Sequence, residues 1–255
     1  MANHYSELTP ERLDSLWQAG ASAILPWGAL EWHGAHLPLG LDGLVATHFG
    51  EKLAESINGV LLPTIWLPIT TVPHRHSLAI KADTLRRVLD DSISGLVISG
   101  AKSIILLTGH YAQGHLSELY ECALRSMDDH SQLRVFAGSP LEPLGDEHFL
   151  DHAARFETSQ LLTIRPDLVD LSKLPEVLDT KRDAVLGSDP RESSALEGED
   201  LLDRALVAWS QWVCTAHYGS LQDHYHARFD TLRPYVDAFY RGSWEEAIEA
   251  WWATK

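Results

Sequence analysis

The sequence predicts an α/β fold with a mostly parallel central sheet. Short, β-rich apolar runs alternate with amphipathic segments through its first two thirds, the pattern of successive βα units. The run at 103–107 is almost continuously aliphatic, as a strand buried on both faces requires. With 255 residues, 45% hydrophobic and 22% charged, the chain has the composition of one large globular core, which excludes disorder, collagen-like repeats and coiled coil.

Taken in order, residues 22–27 read as a buried strand and 41–58 as a helix, with Asp42 near its start and Gly59 past its end. Residues 60–69 read as an extended stretch broken by Pro63 and Pro68. A helical face of Leu85, Val88, Leu89, Ile93, Leu96 and Val97 predicts a helix over 83–99, with Asp83 as its N-cap. A strand at 103–107, a helix at 116–127 and a strand at 133–138 complete the alternating pattern. The polar region 166–199 reads as a long surface excursion entering a helix at 194–216. Beyond it the chain turns aromatic and histidine-rich, with Trp244, Trp251 and Trp252 in an expected closing helix. The expected organisation is one main domain over 1–218 and a C-terminal helical appendage over 219–255, packed on the same domain or on a neighbouring subunit.

Charge and composition narrow the function. Twenty basic residues against 36 acidic ones leave a formal −16, which repels phosphate backbones and anionic lipid, so nucleic acid is not an expected partner. No window has eighteen uninterrupted apolar residues, and the polar first eleven residues lack a secretory pattern, so no membrane association and a cytoplasmic location are expected. Two distant cysteines, Cys122 and Cys214, offer neither a disulfide framework nor a thiolate zinc site. Fourteen histidines and the excess carboxylates point instead to nitrogen and oxygen ligands for any bound metal.

Three clusters could carry chemistry. The first, Glu31-Trp32-His33-Gly34-Ala35-His36 and on to Asp42, directly follows the first strand. In extended backbone Glu31 and His33 project the same way, beyond a strand end where open α/β sheets bind ligands, and Asp42 opens the next helix. The second is Thr108-Gly109-His110-Tyr111, at the end of a central strand; the third runs from Asp146-Glu147-His148 to His152 and Glu157-Thr158-Ser159. Each has an ordinary alternative: a surface glutamate, a turn histidine and a helix cap in the first, a structural histidine in the second, an amphipathic helix with a charged face in the third. Together they supply Glu31, His33, Asp42, His110 and Glu157, and the arithmetic suits a pair of divalent ions: four positive charges against three carboxylates and one hydroxide. Such a pair, ~3.5–4 Å apart, can ionise a water and polarise a carbonyl together. No Gly-x-Ser-x-Gly elbow follows a strand, which disfavours a serine hydrolase.

In these motifs the chain resembles the creatininase (creatinine amidohydrolase) family. The Glu-x-His-Gly-x-His-Leu-Pro-Leu run ending in Asp42, the Thr108-Gly109-His110 loop and the His152 to Ser159 element follow one another as in that family, with looser matches at Gly187-Ser188-Asp189-Pro190 and Ala195-Leu196-Glu197-Gly198. The resemblance implies a three-layer α/β fold, a centre of two divalent metal ions (zinc, manganese or iron), hydrolysis of a non-peptide C–N bond in a small-molecule substrate, and a homo-oligomer, commonly a hexamer. Carried over by position, Asp42 would bridge both ions, Glu31 and His110 would bind one, and His33 the other. The creatinine-hydrolysing branch has a glutamate ligand where this chain has Ala112; other branches use the Glu-Thr-Ser element, which nominates Glu157. His152 would be the acid/base. The family's Phe-Pro-Gly-Thr loop is missing and no tryptophan lies between Trp66 and Trp209, which argues against creatinine itself. Trp32, His36, His74, His76 and Tyr111 are candidate substrate contacts. Expected alternatives are a peptidase of the same family, acting in maturation of a peptide-derived cofactor, and a non-catalytic metal-stabilised protein.

Overall fold

The aliphatic runs become the centre of a five-stranded sheet. In the computed structural model, which describes residues 1–145 and 149–241, the elements are β1 (Asn3–His4), α1 (Pro10–Gln18), β2 (Ala23–Trp27), α2 (Leu41–Ile57), β3 (Val60–Leu61), α3 (Ala82–Ser99), β4 (Ser103–Thr108), α4 (Gln113–Asp129), β5 (Arg134–Gly138), α5 (Arg155–Ile164), α6 (Thr180–Asp183), α7 (Ala195–Thr215) and α8 (Tyr218–Arg241). The strand order is β1-β3-β2-β4-β5 and every pair is parallel. Every residue of β2 and β4 is buried, because helices cover both faces.

Those helices fall into two groups. α2, α5 and α7 pack on one another, and α4 packs against both α3 and α8. Right-handed crossovers place α2 on one face of the sheet and α3 and α4 on the other. The main core runs through the sheet, with Trp27, Phe49, Leu89, Ile105, Phe136 and Trp209 all fully buried. A smaller cluster of Leu37, Leu41, Val45, Ala153, Leu161 and Val185 ties α2 to α5. The start of α8 joins the main core through Leu221, Tyr225 and Leu232. The Tyr225 hydroxyl accepts from the Ala137 amide at 2.8 Å and donates to the Val135 carbonyl at 2.7 Å, along the outer side of β5. No helix among the described residues is long and apolar enough to cross a membrane. The Asp146, Glu147 and His148 stretch and the closing helix expected around Trp244, Trp251 and Trp252 lie outside the described residues.

Several boundaries differ from expectation for local reasons. Asp83 does not cap α3: Lys81, in extended backbone, is the N-cap without a side-chain bond, and Asp83 sits in the first turn, paired to Arg86 at 2.9 Å. The left-handed residue closing α2 is Asn58 (φ 51°) rather than Gly59, asparagine being one of the few side chains that tolerates this region. Val60 and Leu61 form the strand, and beyond Pro63 the extended stretch returns to the sheet only in an isolated parallel bridge of Ile65 to Trp27. Helix α4 starts at Gln113, a turn earlier than expected, and α1, capped by Thr9 with Leu16 and Trp17 buried, and the two-residue β1 are additional to the expected elements.

One close approach decides how near the loops after β2 and β4 can come. A Cβ added to Gly109 would lie 2.0 Å from the Asp42 carbonyl oxygen, so β4 and the first turn of α2 can meet only because no side chain stands between them. Gly109→Ala is expected to destabilise the protein by roughly 1–3 kcal/mol. Gly95→Ala, in α3 with open space around its Cβ position, is expected to be neutral or to stabilise by up to ~1 kcal/mol. Chemical denaturation of the two variants checks this contrast.

Candidate metal centre

The connection from β2 leads through α2 to β3 on one side, whereas that from β4 leads through α4 to β5 on the other. The loops leaving these two adjacent strands therefore diverge, opening a crevice at the topological switch point of the sheet, where α/β proteins bind ligands. The first loop carries Glu31 and His33 and the second carries His110. The first turn of α2 delivers Asp42, and α5 brings Glu157 from the neighbouring layer.

All five side chains are buried, between 0 and 3% exposed. Asp42 stands at the centre: Oδ1 is 3.0 Å from His33 Nε2 and Oδ2 is 3.1 Å from His110 Nδ1. Glu31 Oε2 is 2.9 Å from the same His110 nitrogen, and Glu157 Oε2 is 3.7 Å from His33 Nε2. Three donor sets arise whose ligand atoms lie within 4.8 Å of one another: Glu31, Asp42 and His110; His33, Asp42 and Glu157; and Glu31, His33 and His152. The first two share only Asp42.

The outer nitrogen of each imidazole is committed elsewhere. His33 Nδ1 lies 3.0 Å from the Glu31 carbonyl, His110 Nε2 is 2.9 Å from the Ile69 carbonyl, and His152 Nε2 is 2.9 Å from the Trp32 carbonyl. A carbonyl only accepts, so each of these nitrogens carries the ring hydrogen, and the opposite nitrogen turns its lone pair toward the carboxylates. Lone pair then faces lone pair: Glu31 Oε2, His33 Nε2 and both Asp42 oxygens are buried without a hydrogen-bond partner. Such an arrangement calls for cations between the acceptors, and nitrogen and oxygen donors in two sets of three suit divalent transition metals. The residues present fit such ions.

Protons are the alternative cations, and the electrostatics show the competition. Burial disfavours charge on His33, but Asp42, Glu157 and Glu31 outweigh it and raise its pKa to about 10. Burial likewise opposes charge on His110, and Glu31 and Asp42 raise it well above the ordinary value. Burial pushes Glu157 well above the usual carboxylate range, with His33 offsetting only part. His152 is lowered to about 4 by burial and by His33.

The backbone braces each donor. The Val72 amide donates to Glu31 Oε1, and the Ala153 amide donates to Glu157 Oε2 at 2.6 Å. Asp151, which stands outside the motifs, caps α5: its carboxylate accepts from the Phe156 and Glu157 amides at 2.7 and 3.1 Å. An acidic residue just ahead of a helical run is the signal that could have found it.

The structure gathers Glu31, His33, Asp42, His110, His152 and Glu157 into one cluster. Half-buried Trp32 stacks on the His74 ring at 4.7 Å, and His74 lies 5.3 Å from exposed His76. Half-buried Tyr111 donates to Gln160 at 3.3 Å. His36 is apart from this rim, buried with Nε2 3.3 Å from the Thr158 hydroxyl of α5.

The geometry sets two expected outcomes. Asp42→Asn, which removes charge from the residue common to both donor sets, is expected to leave the protein with less than one equivalent of divalent metal, read by mass spectrometry of the purified protein. Because the metal-free histidines hold protons, metal must displace them, so affinity is expected to rise with pH between 6 and 8, by about tenfold per unit for each proton released. Competition with a chelator at several pH values checks the slope.

Comparison with known proteins places this architecture. The family model described as Creatininase: Creatinine amidohydrolase matches residues 6–213. A creatinine amidohydrolase of Pseudomonas putida is 29% identical over 192 residues, 66% of this chain and 74% of that protein. A mycofactocin precursor peptide peptidase of Mycobacterium ulcerans (strain Agy99) is 27% identical over 237 residues, 80% and 90% of the two chains. A crystal structure of creatinine amidohydrolase superposes with a TM-score of 0.70 at 24% identity, over 82% of this chain and 96% of that one. A structure titled "Creatininase Mn" superposes with 0.71 at 24% identity, over 83% and 97%. The chain belongs to the creatininase family of hydrolases.

Proposed function

We propose that this protein is a dinuclear metal-dependent amidohydrolase that cleaves a non-peptide C–N bond, an amide, lactam or formamide, in a small neutral or cationic molecule. The observation that carries the reading is Asp42, whose two buried oxygens, without a hydrogen-bond partner, face separate donor sets. On this reading Glu31, His110 and Asp42 hold one divalent ion, and His33, Glu157 and Asp42 hold the other, whether zinc, manganese or iron. Two such ions supply a Lewis acid for a carbonyl oxygen and make a water ionisable near neutral pH.

The chain's own groups would do the rest. His152 fixes its Nε2 hydrogen on the Trp32 carbonyl, so its Nδ1 is the atom that takes a proton from the attacking water and passes it to the departing nitrogen. The lowered pKa of His152 leaves that nitrogen free to accept at pH 7. Glu157 stands in for the carboxylate that the creatinine-hydrolysing pattern has at Ala112, and its short bond from the Ala153 amide fixes its orientation. Trp32, His74, His76 and Tyr111, half-buried or exposed beside a buried centre, are the proposed substrate contacts; His36, bound to Thr158, is left out of that set. The net charge of −16 favours neutral or cationic substrates.

A second reading is a peptidase acting on a short peptide, favoured by the relative named as a mycofactocin precursor peptide peptidase, matched over 80% of this chain. Metal-replete protein is expected to hydrolyse at least one member of a panel of lactams, formamides and cyclic amides, with kcat reduced about 10²–10⁴-fold in His152→Ala and activity abolished by chelation. Hydrolysis of short peptides alone would select the peptidase reading. No hydrolysis of either class by protein carrying two equivalents of metal would overturn both.

A further inference from the structure

Ala112 removes a carboxylate that the creatinine-hydrolysing pattern would have beside the centre, and Glu157 must reach it from another layer of the fold. What holds Glu157 there is a short segment ahead of α5. Ala153 adopts a left-handed backbone, φ 50°, although it has a side chain and is fully buried. Such a conformation is disfavoured for a residue with a Cβ and persists only where the surroundings enforce it. The enforcing contacts are visible on both sides. His152 exchanges two backbone hydrogen bonds with Leu186, at 2.9 and 2.8 Å. The Arg155 amide donates to the Ser188 carbonyl at 3.2 Å. Asp151, 7% exposed, takes the Phe156 and Glu157 amides on separate carboxylate oxygens.

The bonds made by Asp151 satisfy the second and third amides of α5, the work of an N-cap side chain, although the residue at the cap position is Ala154. With those amides occupied from Asp151, the left-handed turn at Ala153 aims its own amide at Glu157 Oε2. One carboxylate therefore fixes the backbone of Glu157, and the turn it closes fixes the side chain. His152, between Asp151 and Ala153, is placed by the same turn.

We infer that Asp151 is a positioning residue for the second metal site: by closing the turn 151–157 it holds the Glu157 carboxylate in ligating geometry. This rests on the two-ion reading proposed above. Asp151 lies in none of the three donor sets. Its effect is thus confined to the sets containing Glu157 and His152, and the set of Glu31, Asp42 and His110 should not depend on it.

Cobalt(II) titration of metal-free protein tests this, with binding followed by visible absorption and stoichiometry by mass spectrometry. Wild type is expected to take two equivalents. Asp151→Asn, which keeps the size but only one accepting oxygen, is expected to weaken the second equivalent 10–100-fold and leave the first within about twofold. In a Glu157→Gln background the second equivalent is already lost, and adding Asp151→Asn should change nothing further, the mark of one residue acting through the other. Asp151→Ser, which retains one capping oxygen, carries the same test if the asparagine variant does not fold. Wild-type affinity for the second equivalent in Asp151→Asn overturns the inference. So does equal weakening of both equivalents with a lowered melting temperature of metal-free protein, because that is a purely structural role. Fewer than two equivalents in wild type overturns the two-ion reading, and this inference with it. Two equivalents retained in Glu157→Gln overturns the assignment of Glu157.

Discussion

The first turn of α2 pressed against the end of β4 is the contact on which the centre depends. It brings a carboxylate, at the favourable N-terminal end of a helix, between two imidazoles that arrive on different strand connections. The approach is possible only because Gly109 has no side chain to oppose the Asp42 backbone. Once Asp42 is fixed, the remaining donors have no freedom to choose partners. Each is held by a backbone group: the Glu31 carbonyl behind His33, Ile69 and Val72 of one loop behind His110 and Glu31, Trp32 behind His152 and Ala153 behind Glu157.

This arrangement concentrates unfavourable electrostatics where it is useful. Acceptors face acceptors in a region closed to solvent, and the metal-free chain relieves that only by holding protons on histidines that would otherwise be neutral. Divalent ions would relieve the same repulsion, in competition with the protons that the histidines hold without them. The surrounding apolar clusters, Leu37, Leu41 and Val45 on one side and the sheet core on the other, supply the rigidity that keeps the acceptors together.

Much of this was legible in the sequence. Continuous aliphatic runs mark both-face burial, so β2, β4 and β5 were readable to within a residue or two; the donors Glu31, His33 and His110 follow strand ends, and Asp42 opens a helix. What escaped was decided by tertiary contacts. Lys81 rather than Asp83 is the N-cap of α3, and Asp83 sits in the first turn, paired to Arg86. Gly59 is a glycine because a Cβ there would meet the Ser22 carbonyl at 3.1 Å, not because the helix needs it to terminate. Asp151 carries no ligand signature of its own; it bonds backbone amides, and only its place just ahead of a helical run marks it. His36 lies inside the most specific motif yet turns to Thr158, since alternation along a strand says nothing once the backbone enters a turn.

The tyrosine that α8 lays along β5 bears on how copies of this protein can meet. An edge strand normally presents a row of free amides and carbonyls, an open template on which another chain can add a strand. Here a single hydroxyl occupies both the Ala137 amide and the Val135 carbonyl, and β1 at the opposite edge is only two residues long. The sheet is closed to growth at one margin by a phenol and at the other by brevity. Any contact between copies would therefore have to use helices and loops rather than the strand-to-strand pairing through which open sheet edges aggregate.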